Sequence, residues 1–138
     1  MISKVDQPRR PVPLGLLAAL VPLLCFGCDE ISEEACTPLD TPSFANVYDL
    51  VMTSSCAVGG TCHGGGSSAG GLDLADLQSA HGALIESGNV IPGDVAQSPL
   101  MSRLDSAVNH GQHMPPGQML SEAQRCMIAA WIREGAEP

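Results

Sequence analysis

Three residues with reactive or metal-binding side chains lie close together in the middle of the chain. Cys56, Cys62 and His63 fall within eight residues. Two cysteines that end in Cys-His are typical of covalent haem attachment, in which the thiols add to the haem vinyl groups and the histidine coordinates the iron. Five residues separate these cysteines where two are usual, so three extra residues must bulge out. Gly59 and Gly60 permit such a bulge, because glycine adopts conformations closed to other residues.

The same stretch fits a second interpretation. In an exported protein, two cysteines this close can form a disulfide, and His63 would then be a polar loop residue. A structural zinc site is disfavoured, since it needs four Cys or His ligands in paired spacings and the sequence offers no second pair. The eight residues alone leave haem and disulfide open.

The N-terminal residues have the pattern of a signal peptide. Lys4, Arg9 and Arg10 precede an apolar run of 13 residues, 14–26, which is too short to span a membrane comfortably. We therefore predict a signal peptide over residues 1–27 and export of the chain.

Cys28 follows a small residue directly after the apolar run, which is typical of a bacterial lipoprotein cleavage site. The sequence thus predicts a lipid anchor on Cys28 and a periplasmic location at a bacterial membrane. Ordinary signal cleavage is the alternative, because Cys25 stands where such sites normally carry leucine. Residues 28–42 are acidic, contain two prolines and have no periodic apolar face, so we predict a flexible tether.

Charge limits the partners of the mature chain. Removal of the leader takes away Lys4, Arg9, Arg10 and Asp6, which leaves three basic and 14 acidic residues. Nucleic acid is therefore an improbable partner. An acidic surface can steer a basic protein partner, although charge that only maintains solubility is at least as common.

Residues 43–138 are enough for one small domain with a single core. Apolar residues at helical spacing predict four helices joined by glycine- and proline-rich loops, and a stiff loop over residues 109–118. His81 is expected to be exposed or hydrogen-bonded, without a ligand role. The helices are signalled by the N-cap Ser43 with Phe44, Val47, Tyr48 and Val51; by Leu77, Leu84 and Ile85 before Gly88; by Ser98-Pro99 with Leu100, Met101, Leu104 and Val108; and by the capping box Ser121/Gln124 with Met127, Ala130 and Trp131 before Gly135.

From residue 43 to 136 the chain resembles the small c-type cytochrome domains of the planctomycete cytochrome c family. The resemblance implies an all-α fold in which the first and last helices pack together and haem c is held between loops. It rests on an ordered set of motifs: Cys62-His63-Gly64, Gly71-Leu72-Asp73-Leu74, Pro92-Gly93-Asp94, Ser98 with Leu100, Met114-Pro115-Pro116, Trp131-Ile132 and Gly135-Ala136.

By the same resemblance, Cys56 and Cys62 hold the haem covalently, His63 is the proximal iron ligand and Met114 the distal one. The wide cysteine spacing departs from the family pattern at Cys56, which leaves open a cytochrome bound only through Cys62 or a relative that has lost haem. His110 and His113 compete with Met114, but Met114 directly precedes two prolines and so has the stiffest backbone of the loop.

Two further cysteines, Cys36 and Cys126, remain. In an exported chain we expect them to form a disulfide that ties the tether to the last helix.

The leading hypothesis is a haem-binding electron-transfer protein, a non-enzymatic single-electron carrier that works with redox protein partners. The main alternative is a haem-free binding or scaffold module outside the cytoplasm, stapled by a Cys56–Cys62 disulfide. A haem enzyme or sensor with an open distal site would require displacement of Met114. The sequence says nothing of the oligomeric state.

Overall fold

The structure, a computed structural model, describes residues 36–105 and 113–138. These residues contain helices and loops and no β-strand, which confirms the all-α prediction. The predicted signal peptide and Cys28 lie outside the described residues. The elements are helix α1, built from Phe44–Val47, Tyr48–Met52 and Thr53–Ser55; a 3₁₀ turn, Ala69–Gly71; and helices α2, Leu77–Glu86, α3, Pro99–Leu104, and α4, Glu122–Arg133.

Helix α1 begins as the sequence predicts and carries the chain to Cys56. The Ser43 side chain accepts a hydrogen bond from the Asn46 backbone N–H and so caps the first turn. The middle of the helix, Tyr48–Met52, is π-helical. Single π-helical turns inside α-helices are rare and are frequently found at functional sites.

Helix α4 also contributes buried residues to the core. Ser121 and Gln124 make the predicted capping box, in which each side chain accepts a hydrogen bond from the other residue's backbone. Trp131 packs against Phe44 of α1 with ring centroids 5.1 Å apart. The first and last helices therefore pack together, as the resemblance implied.

An aromatic cluster closes this core near the C-terminus. The His81 ring packs edge-on against Phe44, with centroids 4.9 Å apart, and its Nε2 atom lies 2.8 Å from the Ala136 carbonyl oxygen. His81 is therefore partly buried and hydrogen-bonded, which fits the expectation that it is exposed or hydrogen-bonded. The buried apolar residues of the whole core are Phe44, Val47, Tyr48, Val51, Met52, Leu74, Ala80, Leu84, Val90, Leu104, Leu120, Met127, Ile128, Trp131, Ile132 and Ala136.

Helix α3 is shorter than predicted. Pro99 occupies the first turn, but the helix ends at Leu104 because Asp105 has extended backbone angles. The predicted continuous extension to Val108 is therefore wrong, while Val108 itself lies outside the described residues. The buried Ser98 hydroxyl accepts a hydrogen bond from the Ile91 N–H and donates one to the Asp94 carbonyl, and so closes the predicted turn instead of capping the helix.

Cys36 and Cys126 form the predicted disulfide, with a Cα–Cα distance of 5.7 Å. The Leu39 N–H also donates a hydrogen bond to the Ala123 carbonyl over 3.2 Å. The described end of the acidic segment is thus held against α4 by one covalent bond and one backbone hydrogen bond. Within residues 36–105 and 113–138, no helix has the length and apolar character needed to cross a membrane.

Candidate haem-binding cavity

One cavity of about 340 Å³ contains all four residues that the sequence singles out for haem binding. Its volume falls in the range typical of small-molecule and cofactor sites. Cys56, Cys62 and His63 come from one short stretch of the sequence, and Met114 comes from a much later one. The full lining is Ser55, Cys56, Thr61, Cys62, His63, Ala69, Gly70, Leu72, Leu74, Asn89, Leu100, Arg103, Leu104, Met114, Pro115 and Pro116.

The loop between the two cysteines closes on itself. The His63 N–H donates a hydrogen bond to the Cys56 carbonyl oxygen over 3.1 Å. In a motif with only two residues between the cysteines, the same pair of groups would be four residues apart, which is the spacing of an ordinary α-helical hydrogen bond. The longer loop therefore brings together the same two backbone groups that a motif with two intervening residues would join within one helical turn. The extra residues project outward, and Val58 is 46% exposed.

Two glycines permit this closure for different reasons. Gly60 has a φ of +97°, in a region that residues with a Cβ atom rarely adopt. Gly64 is required by a close approach: a Cβ atom there would overlap the Ala57 carbonyl oxygen and lie 2.7 Å from the carbonyl carbon. The expectation that glycines allow the bulge is met at Gly60, whereas the tightest constraint falls on the glycine directly after His63.

His63 is oriented by its own surroundings. Its Nδ1 atom lies 3.1 Å from the Leu72 carbonyl oxygen. A carbonyl can only accept, so Nδ1 donates this hydrogen bond, and in the neutral imidazole Nε2 then keeps a lone pair for a metal. The His63 carbonyl in turn accepts a hydrogen bond from the Leu74 N–H over 2.6 Å. A hydrogen-bond acceptor for the ring nitrogen that does not bind the metal is the usual way in which proteins fix a metal-binding histidine.

Sequence reasoning missed Leu72 as the partner of His63. The interacting atom is a backbone carbonyl, which every residue has, so its identity carries no signal. The only hint is the Gly70-Gly71 pair just before it, whose positive φ values turn the chain back towards His63.

Met114 reaches the same cavity from the loop after α3. Its N–H donates a hydrogen bond to the Arg103 carbonyl over 2.7 Å, which fixes the backbone at this point, and its side chain is 37% exposed. His113 does not line the cavity, and its Nδ1 atom is buried without a hydrogen-bond partner among the described residues. His110 lies outside the described residues. Of the competing residues that the structure describes, only Met114 faces the site.

Both thiols of the site are free in the structure. Burial, with a smaller contribution from the nearby Cys62, raises the pKa of the Cys56 thiol to about 11. Cys56 is therefore neutral at ordinary pH. It lies directly after α1, and its N–H donates to the Met52 carbonyl over 2.9 Å.

Comparison with known proteins agrees with the resemblance read from the sequence. Residues 60–118 match the family model described as planctomycete cytochrome C. The match contains Cys62, His63 and Met114, but it begins after Cys56 and so leaves the wide cysteine spacing untested. No curated protein and no solved structure matches the chain significantly. This part of the chain is similar to a cytochrome c family, and that similarity indicates haem-binding electron transfer.

The residues of the cavity fit a covalently bound haem. Such a site needs thiols for thioether bonds, one or two axial ligands and an apolar surround. The cavity supplies free thiols, an imidazole with its Nε2 lone pair available, a thioether sulfur and mainly apolar or small neighbours. Among the residues that the structure describes, no three His, Cys, Asp or Glu side chains form a group able to hold a bare metal ion. Haem iron places a smaller demand on the protein, since the porphyrin supplies four of its ligands.

Proposed function

We propose that this chain is a c-type cytochrome that carries single electrons outside the cytoplasmic membrane. One observation carries the proposal: Cys56, Cys62, His63 and Met114, which lie in two distant parts of the sequence, line the same cavity. The similarity of residues 60–118 to planctomycete cytochrome C supports it independently. The chain would act as an electron carrier and not as an enzyme.

Each residue has a separate task in this proposal. Cys56 and Cys62 would hold the haem through thioether bonds, and His63 would bind the iron through Nε2 while the Leu72 carbonyl keeps the ring in place. Met114 would offer its thioether sulfur as a second iron ligand. A soft thioether ligand favours ferrous iron and raises the reduction potential. When bound, the haem supplies the iron that alternates between the ferrous and ferric states.

The test is expression of the full chain together with a cytochrome maturation system. We expect the purified protein to carry haem that survives denaturation and acid-acetone extraction, because the thioether bonds are covalent. Replacement of His63 by alanine should abolish stable haem incorporation. As a matched control, His81→Ala removes an imidazole that lies outside the cavity and should leave haem attached.

The principal alternative is a haem-free scaffold or binding module with a Cys56–Cys62 disulfide. It predicts a colourless product whose mass spectrum shows that disulfide. Such a product would end the haem proposal. Unchanged haem content in His63→Ala would instead show that the proximal ligand is wrongly assigned.

We further propose that the protein is exported to the periplasm and anchored through a lipid on Cys28. Support comes from the charged, apolar and small-residue order of the first 28 residues. Cys28→Ser should move the protein from the membrane fraction to the soluble fraction. Membrane attachment that persists in this variant would refute the lipid anchor.

Redox protein partners are part of the same proposal. After removal of the leader, the chain has three basic and 14 acidic residues. Such an acidic protein favours a partner with a basic docking face. Electron transfer to such a partner should slow as salt is added, since the attraction between charged surfaces is screened. Rates that do not change with salt would remove the argument for a basic partner.

A further inference from the structure

The cavity has an electrostatic asymmetry that the proposed function does not use. Among the described residues that line it, Arg103 is the only one with a permanent charge, and no carboxylate lines it. The mature chain has three arginines, no lysine and 14 acidic residues. A positive charge at the edge of a carboxylate-free cavity is therefore exceptional in this chain.

Arg103 is placed by a short and well-defined segment. It lies in the last turn of α3, is exposed to solvent, and its carbonyl accepts the Met114 N–H over 2.7 Å. The Arg103 carbonyl thus fixes the backbone at Met114, while the Arg103 side chain takes no part in that hydrogen bond, and the residue lines the cavity. The two roles use different atoms, so the side chain can be changed without removing the backbone hydrogen bond.

The haem that this cavity would hold carries two propionate carboxylates. In a strongly acidic protein these groups need a positive partner or contact with water. Guanidinium is the side chain best suited to a carboxylate, because its planar array of N–H donors binds both oxygens at once. We propose that the Arg103 guanidinium binds a haem propionate, an inference that rests on the proposed function.

A plain structural explanation competes with this one. A cation in the last turn of a helix interacts favourably with the partial negative charge there. That effect would change the stability of α3 when Arg103 is replaced, but it involves no contact with the cofactor. The two explanations therefore differ in what they predict for the haem itself.

The experiment compares three variants of the full-length holoprotein. Arg103→Gln removes the charge at the cavity, Arg103→Lys keeps the charge but loses the two-pronged geometry, and Arg125→Gln is the matched control. Arg125 lies on α4 and does not line the cavity. The readouts are the midpoint potential at about 0.15 M salt, where charges are screened beyond about 8 Å, and the propionate bending band in the resonance Raman spectrum.

We expect Arg103→Gln to shift the propionate band and to lower the potential by more than Arg125→Gln does. Loss of a nearby positive charge stabilises ferric iron, which carries one more positive charge than ferrous iron. Arg103→Lys should recover part of the potential while its propionate band stays shifted. If Arg103→Gln yields no holoprotein, the Raman band of Arg103→Lys decides: a shifted propionate band supports the contact, and an unshifted band overturns it.

The outcomes separate the two proposals. Haem that is attached in all variants, with the same band and potential in Arg103→Gln and Arg125→Gln, would overturn the role of Arg103 alone. A parent protein without covalent haem would overturn the proposed function, and the propionate contact with it.

Discussion

Gly64 offers the sharpest test of how the cysteine loop positions His63. A Cβ atom at this position would overlap the Ala57 carbonyl oxygen and lie 2.7 Å from its carbonyl carbon and 3.0 Å from its Cα atom. All three atoms belong to the backbone, so no side chain can rotate away. The Ala57 peptide would have to move by roughly 1 Å to reach ordinary contact distance.

The cost of Gly64→Ala follows from that displacement. Overpacking of a tight site typically costs about 1–3 kcal/mol. The shift also strains the neighbouring bond from His63 to the Cys56 carbonyl, which is worth about 1 kcal/mol if lost. We therefore expect a loss of about 2–4 kcal/mol in the free energy of unfolding. For a domain of this size, that corresponds to a fall in Tm of roughly 8 °C or more.

Gly59→Ala is the matched control in the same loop. A Cβ atom at Gly59 would have no neighbour within 4 Å, and its φ is not in the positive region. Alanine there should be neutral or stabilise by about 0.4–1 kcal/mol, since it restricts the unfolded chain.

The assay is urea unfolding of the purified mature chain, followed by far-ultraviolet circular dichroism, with covalent haem content measured in parallel. Gly64→Ala should unfold at lower urea and carry less haem than Gly59→Ala. Free energies for the two variants that agree within about 0.5 kcal/mol, the spread of ordinary surface substitutions, would refute the close approach as described.

Three other predictions concern the remaining site and disulfide residues. Met114→Ala should abolish the weak far-red charge-transfer band of the oxidised protein and lower its potential, whereas His113→Ala should retain the band; the reverse pattern in absorption spectra would identify a histidine ligand. Removal of the disulfide by replacing Cys36 and Cys126 with serine should lower the free energy of unfolding by about 3–5 kcal/mol, since it closes a long loop, and a smaller change in urea unfolding would contradict that estimate. In haem-free protein, burial raises the pKa of Cys56 from 9.0 to about 11. The contribution of the protonated Cys56 thiol to stability is therefore complete below pH 9.0 and is lost as the pH rises towards about 11. Cys56→Ser should flatten this part of the curve of unfolding free energy against pH.

Local signals in the sequence were sufficient for much of the fold. The Ser43 cap and the Ser121/Gln124 capping box both appear in the structure. Capping depends on residues three apart, so a short window of sequence contains all the information. The same holds for Cys62 and His63, whose adjacency was the first indication of the site.

Features that depend on distant backbone groups could not be read in this way. The Leu72 carbonyl that orients His63 and the Arg103 carbonyl that fixes Met114 are generic groups, and only the folded chain brings them to their partners. The end of α3 was misplaced for a related reason. Val108 continues the apolar spacing, but Asp105 leaves the helix first, and spacing alone cannot detect a change in backbone angles.

The hydrogen bond that closes the cysteine loop has a consequence for how such sites are recognised. Because the Cys56 carbonyl and the His63 N–H meet directly, the intervening residues form an outward loop whose length does not determine where its two ends lie. In this chain the extra residues between the cysteines project outward while the Cys56 carbonyl and the His63 N–H stay in contact. A search that requires two residues between the cysteines overlooks this chain, whereas a search for a glycine-containing loop before a Cys-His-Gly triplet finds it.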